Sequence, residues 1–152
     1  MKARVFAAVL GGANIVAAYA NAGEIEHFRP PSAAEDAPVL YSSMVRHGDT
    51  LYLAGTLGFD SETGALADGV AAQTKAAMTS IEATLARANA DLGDLLNCTL
   101  YLADIEEYGA VNAAYQPFFP ETAPARTTIA VAGLPLGAEI EIACIAQLKP
   151  AG

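Results

Sequence analysis

The chain has 152 residues, enough for one domain with a single core. A hydrophobic content of 53% and a charged content of 16% exclude a disordered chain. Eight Lys and Arg against 17 Asp and Glu give a net charge of −9, which repels phosphate backbones and argues against a nucleic-acid partner.

The N-terminal stretch "MKARVFAAVLGGANIVAAYANAGE" opens with Lys2 and Arg4. It runs apolar from Val5 to about Ala18 and ends in small residues at A-x-A spacing. This is the pattern of a secretory signal peptide over residues 1–22, cleaved after Ala20 or Ala22. The alternative is a retained N-terminal helix or anchor, but Gly11-Gly12 interrupts an already short apolar run, which is poor for a spanning helix. The expected mature protein is a single domain of residues 23–152, periplasmic or secreted and without a membrane segment. Retention in the cytoplasm is the alternative.

Residues 23–38 are polar, carry three prolines and read as an irregular lead-in. Two strands are expected over about 39–46 and 50–57, joined by the turn residues His47-Gly48-Asp49. A loop follows, then a helix over about 68–89. Val70, Thr74, Ala77, Met78, Ile81, Leu85 and Ala88 make its buried stripe, and Asp68 is the expected N-cap. "LLNCTLYLAD" alternates as a half-buried strand, with Leu96, Cys98, Leu100 and Leu102 on one face and Asn97, Thr99 and Tyr101 on the other. Asp104 and Glu107 resemble a capping box opening a second helix, whose apolar stripe is Tyr108, Val111, Ala114, Tyr115 and Phe118. Strands over about 126–132 and 138–148 close the chain. The order ββαβαββ predicts a two-layer α+β domain, a mixed sheet with two helices packed on one face. The face left open carries Tyr, Thr, Ile and scattered charge, which predicts a closed oligomer.

Cys98 and Cys144 are too few for a disulfide framework. Each sits in an apolar strand, where a thiol packs as a small hydrophobe. An exported protein can also join them, and spacing does not decide between the two. There is no CxxC, no HExxH and no Cys/His cluster, so no metal site is expected. His27 and His47 read as surface residues.

The chemistry-bearing candidates lie in "PARTTIAVAGLPLGAEIEIACIA". Arg126 opens one apolar strand, and Glu141 interrupts another. A guanidinium matches a carboxylate bidentately, and a glutamate orients water or acts as a general base. The pair could therefore serve hydrolysis of a small C=N or C=O centre carried by a carboxylic acid. Equally, Arg126 could form a structural ion pair with Glu141 or Glu139. Spacing alone leaves both readings open, and alternation puts Glu139 and Glu141 on the same mixed face.

The same stretch resembles the signature of the RidA/YjgF family, the enamine/imine deaminases: Pro-Ala-Arg, an apolar strand, a Leu-Pro turn, then Ile-Glu-Ile. The resemblance extends back through "LYLAGTLGFDSETG" and "VNAAYQPFF" and covers about residues 38–148. It implies a chorismate-mutase-like fold and a homotrimer with sites in clefts between subunits. It also implies hydrolysis of reactive imine acids such as 2-aminoacrylate to 2-keto acid and ammonia, with no cofactor or metal. By the same resemblance, Arg126 holds the substrate carboxylate and Glu141 positions the attacking water. Tyr41 lines the cleft, Asn112 stands near the site, and the backbones of Gly55 and Thr128 approach the ligand. Tyr41 as interface packing and Asn112 as a structural hydrogen-bonder remain open.

The sequence departs from the family pattern in three places. Ala54 stands where a serine is usual. Thr127 and Thr128 replace a small residue and a frequent cysteine. The loop between Phe119 and Pro124 is shorter. A keto-acid binder or a protein-interacting trimer on the same fold is the alternative to a deaminase.

Overall fold

The computed structural model describes residues 23–34 and 36–149. The signal-peptide reading of residues 1–22 and its cleavage points lie outside them. Among the described residues no helix is long and apolar enough to cross a membrane.

The expected lead-in contains a strand. β1 (Ile25–Phe28) pairs antiparallel with β2 (Met44–His47), Ile25 opposite His47 and Phe28 opposite Met44. Three of its four residues are exposed, so no burial pattern marks it in the sequence; the partner strand supplies its hydrogen bonds. Arg87 secures the exit from β1. Its guanidinium donates to Arg29 O at 2.9 Å and Ser43 Oγ at 3.0 Å, and it stands 5.6 Å over the Phe28 ring.

β2 turns through Gly48 into β3 (Thr50–Leu53). The expected strand over 39–46 therefore begins only at Met44. Residues 39–43 are irregular, with Leu40 fully exposed and Tyr41 60% exposed. The expected strand over 50–57 is broken at Ala54-Gly55, and β4 (Thr56–Leu57) resumes beyond the break. β3 and β4 both pair with the last strand, β7 (Ile140–Gln147), through Tyr52 opposite Ile145 and Thr56 opposite Ile142.

α1 (Val70–Ala86) buries Val70, Gln73, Thr74, Ala77, Met78, Ile81 and Leu85. Gly69, at φ +81°, holds the N-cap position without a side-chain bond, so Asp68 does not cap this helix. Gln73 is buried, with both ends of its amide bonded. Its Nε2 donates to Ala67 O at 3.1 Å, and its Oε1 accepts from Glu139 N at 2.9 Å, tying α1 to the start of β7.

In β5 (Leu95–Leu102) a bulge between Leu95 and Asn97 shifts the start of the strand. Leu95 fills the core and Leu96 is 51% exposed, against the simple alternation. From Cys98 on the pattern holds, with Cys98, Leu100 and Leu102 completely buried. Asp104 accepts from Glu106 N at 2.9 Å and opens a 3-10 turn rather than a capping box. The turn leads into α2 (Tyr108–Tyr115). β6 (Ala125–Ala130) then pairs parallel with β5, while β7 pairs antiparallel with it from the other side.

The sheet order is β1-β2-β3-β7-β5-β6, with β4 also on β7. Its helix-covered face buries Met44, Leu51, Leu100, Leu102, Ile140 and Ile142 against Met78, Ile81 and Leu85 of α1 and Val111 of α2. Cys98 and Cys144 are opposite each other in β5 and β7, with Cα atoms 4.2 Å apart, and form a disulfide at the centre of the sheet. This is the expected two-layer α+β domain, with two strands more than the sequence pattern disclosed. Among the described residues no layer covers the other sheet face, which carries Thr99, Tyr101, Glu141, Ala143 and Ile145.

Candidate active site

In the parallel ladder Arg126 of β6 is in register with Cys98 of β5, and Cys98 faces the helices. Arg126 therefore rises into the helix layer beside α2. Its Nη2 donates to Asn112 Oδ1 at 2.7 Å and to Tyr108 OH at 3.0 Å. The guanidinium carbon stands 5.5 Å from the Tyr108 ring centre and 5.2 Å from that of Tyr115. Tyr108 and Asn112 are one helical turn apart, so α2 presents both to the same point.

Every one of these partners is neutral. Among the described residues the ion pairs are those of Lys149 with Asp91 and Asp94, and none involves Arg126. The Arg126–Glu141 or Arg126–Glu139 ion pair that spacing allowed is not formed within the chain. The guanidinium is held in place while, among the described residues, no carboxylate pairs with it and its Nε and Nη1 donors have no acceptor. That is the arrangement that receives a carboxylate.

Tyr115, 4% exposed, has a buried hydroxyl without a partner. Burial pushes that hydroxyl up to about 12, with the nearby Arg126 charge opposing the shift. The ring thus stays neutral beneath the guanidinium. Thr128 follows on the same side of β6, and its Oγ1 is also buried without a partner. Two hollows flank Arg126. One, about 450 Å³, is lined by Ile105, Glu106, Tyr108 and Thr128. The other, about 370 Å³, is lined by Asn112, Tyr115, Gln116, Phe119, Ala123 and Pro124.

Glu141 points the other way. It stands between the fully buried Ile140 and Ile142, in register with Tyr101 and Leu57, so its carboxylate leaves the open face of the sheet. The carboxylate lies against Gly55, at the break between β3 and β4; a Cβ on Gly55 would overlap it. Tyr41, Ala54, Gly55 and Glu141 share a hollow of about 660 Å³ that includes none of Arg126, Asn112 or Thr128.

The six residues singled out from the sequence thus fall into two groups. Arg126, Asn112 and Thr128 converge beside α2, while Glu141, Gly55 and Tyr41 share the hollow at the break between β3 and β4. Sequence reasoning missed Tyr108 and Tyr115, which it assigned only to an apolar stripe. The available signal was the Tyr108–Asn112 spacing of four on a helix that immediately precedes the arginine strand.

The family model described as Endoribonuclease L-PSP matches residues 32–148. The chain belongs to this family, the RidA/YjgF family. Within it, the chain is 37% identical over 120 residues to Reactive Intermediate Deaminase A, chloroplastic, of Arabidopsis thaliana, covering 76% of this chain and 64% of that protein. It is 39% identical over 111 residues to the 2-iminobutanoate/2-iminopropanoate deaminase of Capra hircus, covering 72% and 81%. Its fold matches the crystal structure of the YjgF gene product from E. coli with a TM-score of 0.69 at 32% identity, over 77% of this chain and 97% of that one. Family membership thus agrees with the resemblance carried by the Pro-Ala-Arg and Ile-Glu-Ile motifs.

Proposed function

We propose that the chain hydrolyses small 2-imino and enamine acids, of the 2-aminoacrylate and 2-iminobutyrate type, to 2-keto acids and ammonia. It does so as a homotrimer with sites between subunits. Arg126 of one subunit holds the carboxylate, steadied by Asn112 and Tyr108. The partner subunit's Glu141 positions the water, with Tyr41 and Gly55 beside it. The observation that carries this reading is an arginine held only by neutral groups, on the face opposite the glutamate. Each group faces its own open hollow; in the proposed trimer a second copy completes either one. The deaminases named among the relatives support the reaction class.

In this mechanism the water oxygen bonds to C2 of the imine while Glu141 accepts a water proton. The C=N electron pair moves to nitrogen, which takes up a proton. The resulting carbinolamine collapses: its amino nitrogen takes up a second proton, the C–N bond breaks as the carbonyl forms, and ammonia leaves while the hydroxyl proton is released and balances the one taken up. An enamine first takes a proton on carbon to become the imine. Arg126 carries the substrate's negative charge throughout and does not react.

A second reading, a keto-acid binder without turnover, is favoured by Ala54, which puts a methyl group where a hydrogen-bonding side chain is usual. Cleavage of RNA, which the family's description invites, is opposed by the net charge of −9. The test is a coupled assay that generates 2-aminoacrylate or 2-iminobutyrate and follows ammonia or keto acid. Acceleration over buffer, reduced about 100-fold by Arg126→Ala through loss of the charge-assisted bonds, supports the deaminase. Keto-acid binding without acceleration supports the binder. Export is part of the same proposal: the N-terminal pattern and the disulfide both suit an oxidising compartment, and N-terminal sequencing of the mature protein decides it.

A further inference from the structure

The two hollows beside Arg126 differ in chemistry, and one guanidinium separates them. The larger is lined by Ile105, by Glu106, by Tyr108, whose hydroxyl is engaged with Arg126, and by Thr128, whose buried hydroxyl lacks a partner. The smaller has Asn112 and Gln116 on its α2 side and offers the Tyr115 and Phe119 rings with Ala123 and Pro124 as its apolar surface. Those two rings pack at 4.8 Å between centroids and form a stable wall. Beside Glu106 and Thr128 an apolar group finds Ile105 alone as aliphatic cover. It gains burial beside Phe119 and Pro124. The wall that closes the apolar hollow is the segment from Phe119 to Pro124, the loop that the family resemblance reads as shortened.

A 2-imino acid has a fixed layout. The carboxylate is on C1, the reacting centre is C2, and the side chain starts at C3. With the carboxylate on Arg126, the side chain must leave toward one hollow or the other. We infer that it enters the apolar hollow between α2 and the Phe119–Pro124 loop, so that this chain selects 2-imino acids with a bulky apolar side chain, such as the imine of leucine, over those with a methyl group. Thr128 then faces the polar end of the same substrate. A volume of about 370 Å³ leaves room for several carbons where 2-iminopropanoate would place one. This assignment rests on the deaminase reading for its reaction, but the hollow itself can be tested without turnover.

The experiment compares imines generated by an amino-acid oxidase from leucine and from alanine, and in parallel titrates the two keto-acid products, 4-methyl-2-oxopentanoate and pyruvate. The variant is Ala123→Phe, an exposed position where a ring fills the hollow without entering the core; a melting curve confirms that it folds. The expected wild-type preference for the leucine-derived imine in kcat/KM is about tenfold or more, since each methylene in an apolar pocket counts that much. Ala123→Phe should abolish or invert the preference. Equal rates for the two imines, or a preference that Ala123→Phe leaves intact, overturns the assignment. If neither imine is hydrolysed, the deaminase reading fails and the titration decides the hollow alone. Tighter binding of the branched keto acid that is lost in Ala123→Phe supports the assignment, and equal binding overturns it.

Discussion

Arg126 and Glu141 stand on opposite faces of one sheet. Arg126 shares the register row of Cys98 and reaches Asn112 and Tyr108 in the helix layer, whereas Glu141 shares the row of Tyr101 and reaches Gly55 at the open face. Side chains that leave opposite sides of the same sheet cannot be brought together by rotamer changes, and these two rows are also three residues apart along β5. If the two residues act on one substrate, they come from two copies of the chain.

The first prediction concerns the charge on Arg126. Asn112 accepts from its Nη2 at 2.7 Å without neutralising it. Asn112→Asp keeps the acceptor and the shape but adds a carboxylate at that distance. The guanidinium then has an internal counter-ion that competes with the substrate. We expect KM, or the Kd for keto acid, to rise about 10- to 100-fold with little change in melting temperature. Unchanged affinity would show that Arg126 does not bind the anion.

The second concerns Glu141 and uses two glycines. At Gly55 an added methyl meets only the flexible end of the Glu141 side chain. Gly55→Ala should displace the carboxylate and lower kcat by more than about tenfold while the fold persists, since reacting groups tolerate only small misplacement. At Gly58 the added methyl would meet the Gln73 backbone in α1, which has no easy way to move. Gly58→Ala should instead cost about 1–3 kcal/mol of stability through overpacking. Denaturation curves and steady-state kinetics on both variants separate the two effects. A Gly55→Ala enzyme of full activity would remove Glu141 from the mechanism.

The third concerns the disulfide. Cys98 and Cys144 are 46 residues apart in sequence and link the two central strands. Closing a loop of that length restricts the unfolded chain by about 4 kcal/mol in the chain-entropy account. Reduction, or the double variant Cys98→Ser with Cys144→Ser, should lower unfolding free energy by an amount of that order. Unfolding curves with and without reductant measure it, and coincident curves would show that the bond adds nothing.

Where burial and local chemistry agree, the fold was legible from sequence. The 3.6-residue stripe of α1 and the alternation of β7 both appear where they were expected. The parts that were not legible have common causes. β1 has an exposed surface and owes its existence to β2, so nothing in its own residues marks it. The bulge at Leu95–Asn97 moves Leu96 outward because the register is set by β7, a contact the local pattern does not contain. A capping box of the kind expected at Asp104 forms instead between Asp91 and Asp94, around the turn Leu92–Asp94, because either Asp can cap and only the following turn decides. The site was legible as residue types, and the family motif singled out Arg126 and Glu141. That they occupy opposite faces could not be read from the strands separately. Glu141 was placed by the alternation of β7, but Arg126 needed its parallel pairing with β5, which depends on the whole order of the sheet.

The most direct measurement is complementation between Arg126→Ala and Glu141→Ala. Each homotrimer lacks one pole at all of its sites and should be inactive in the imine assay. If the two variants are co-expressed and assemble at random around a three-fold axis, about a quarter of the clefts receive an intact arginine from one subunit and an intact glutamate from the next. The account predicts that the mixed preparation recovers about a quarter of wild-type activity. No recovery, with mixed trimers demonstrated by mass spectrometry, would contradict a site shared between subunits.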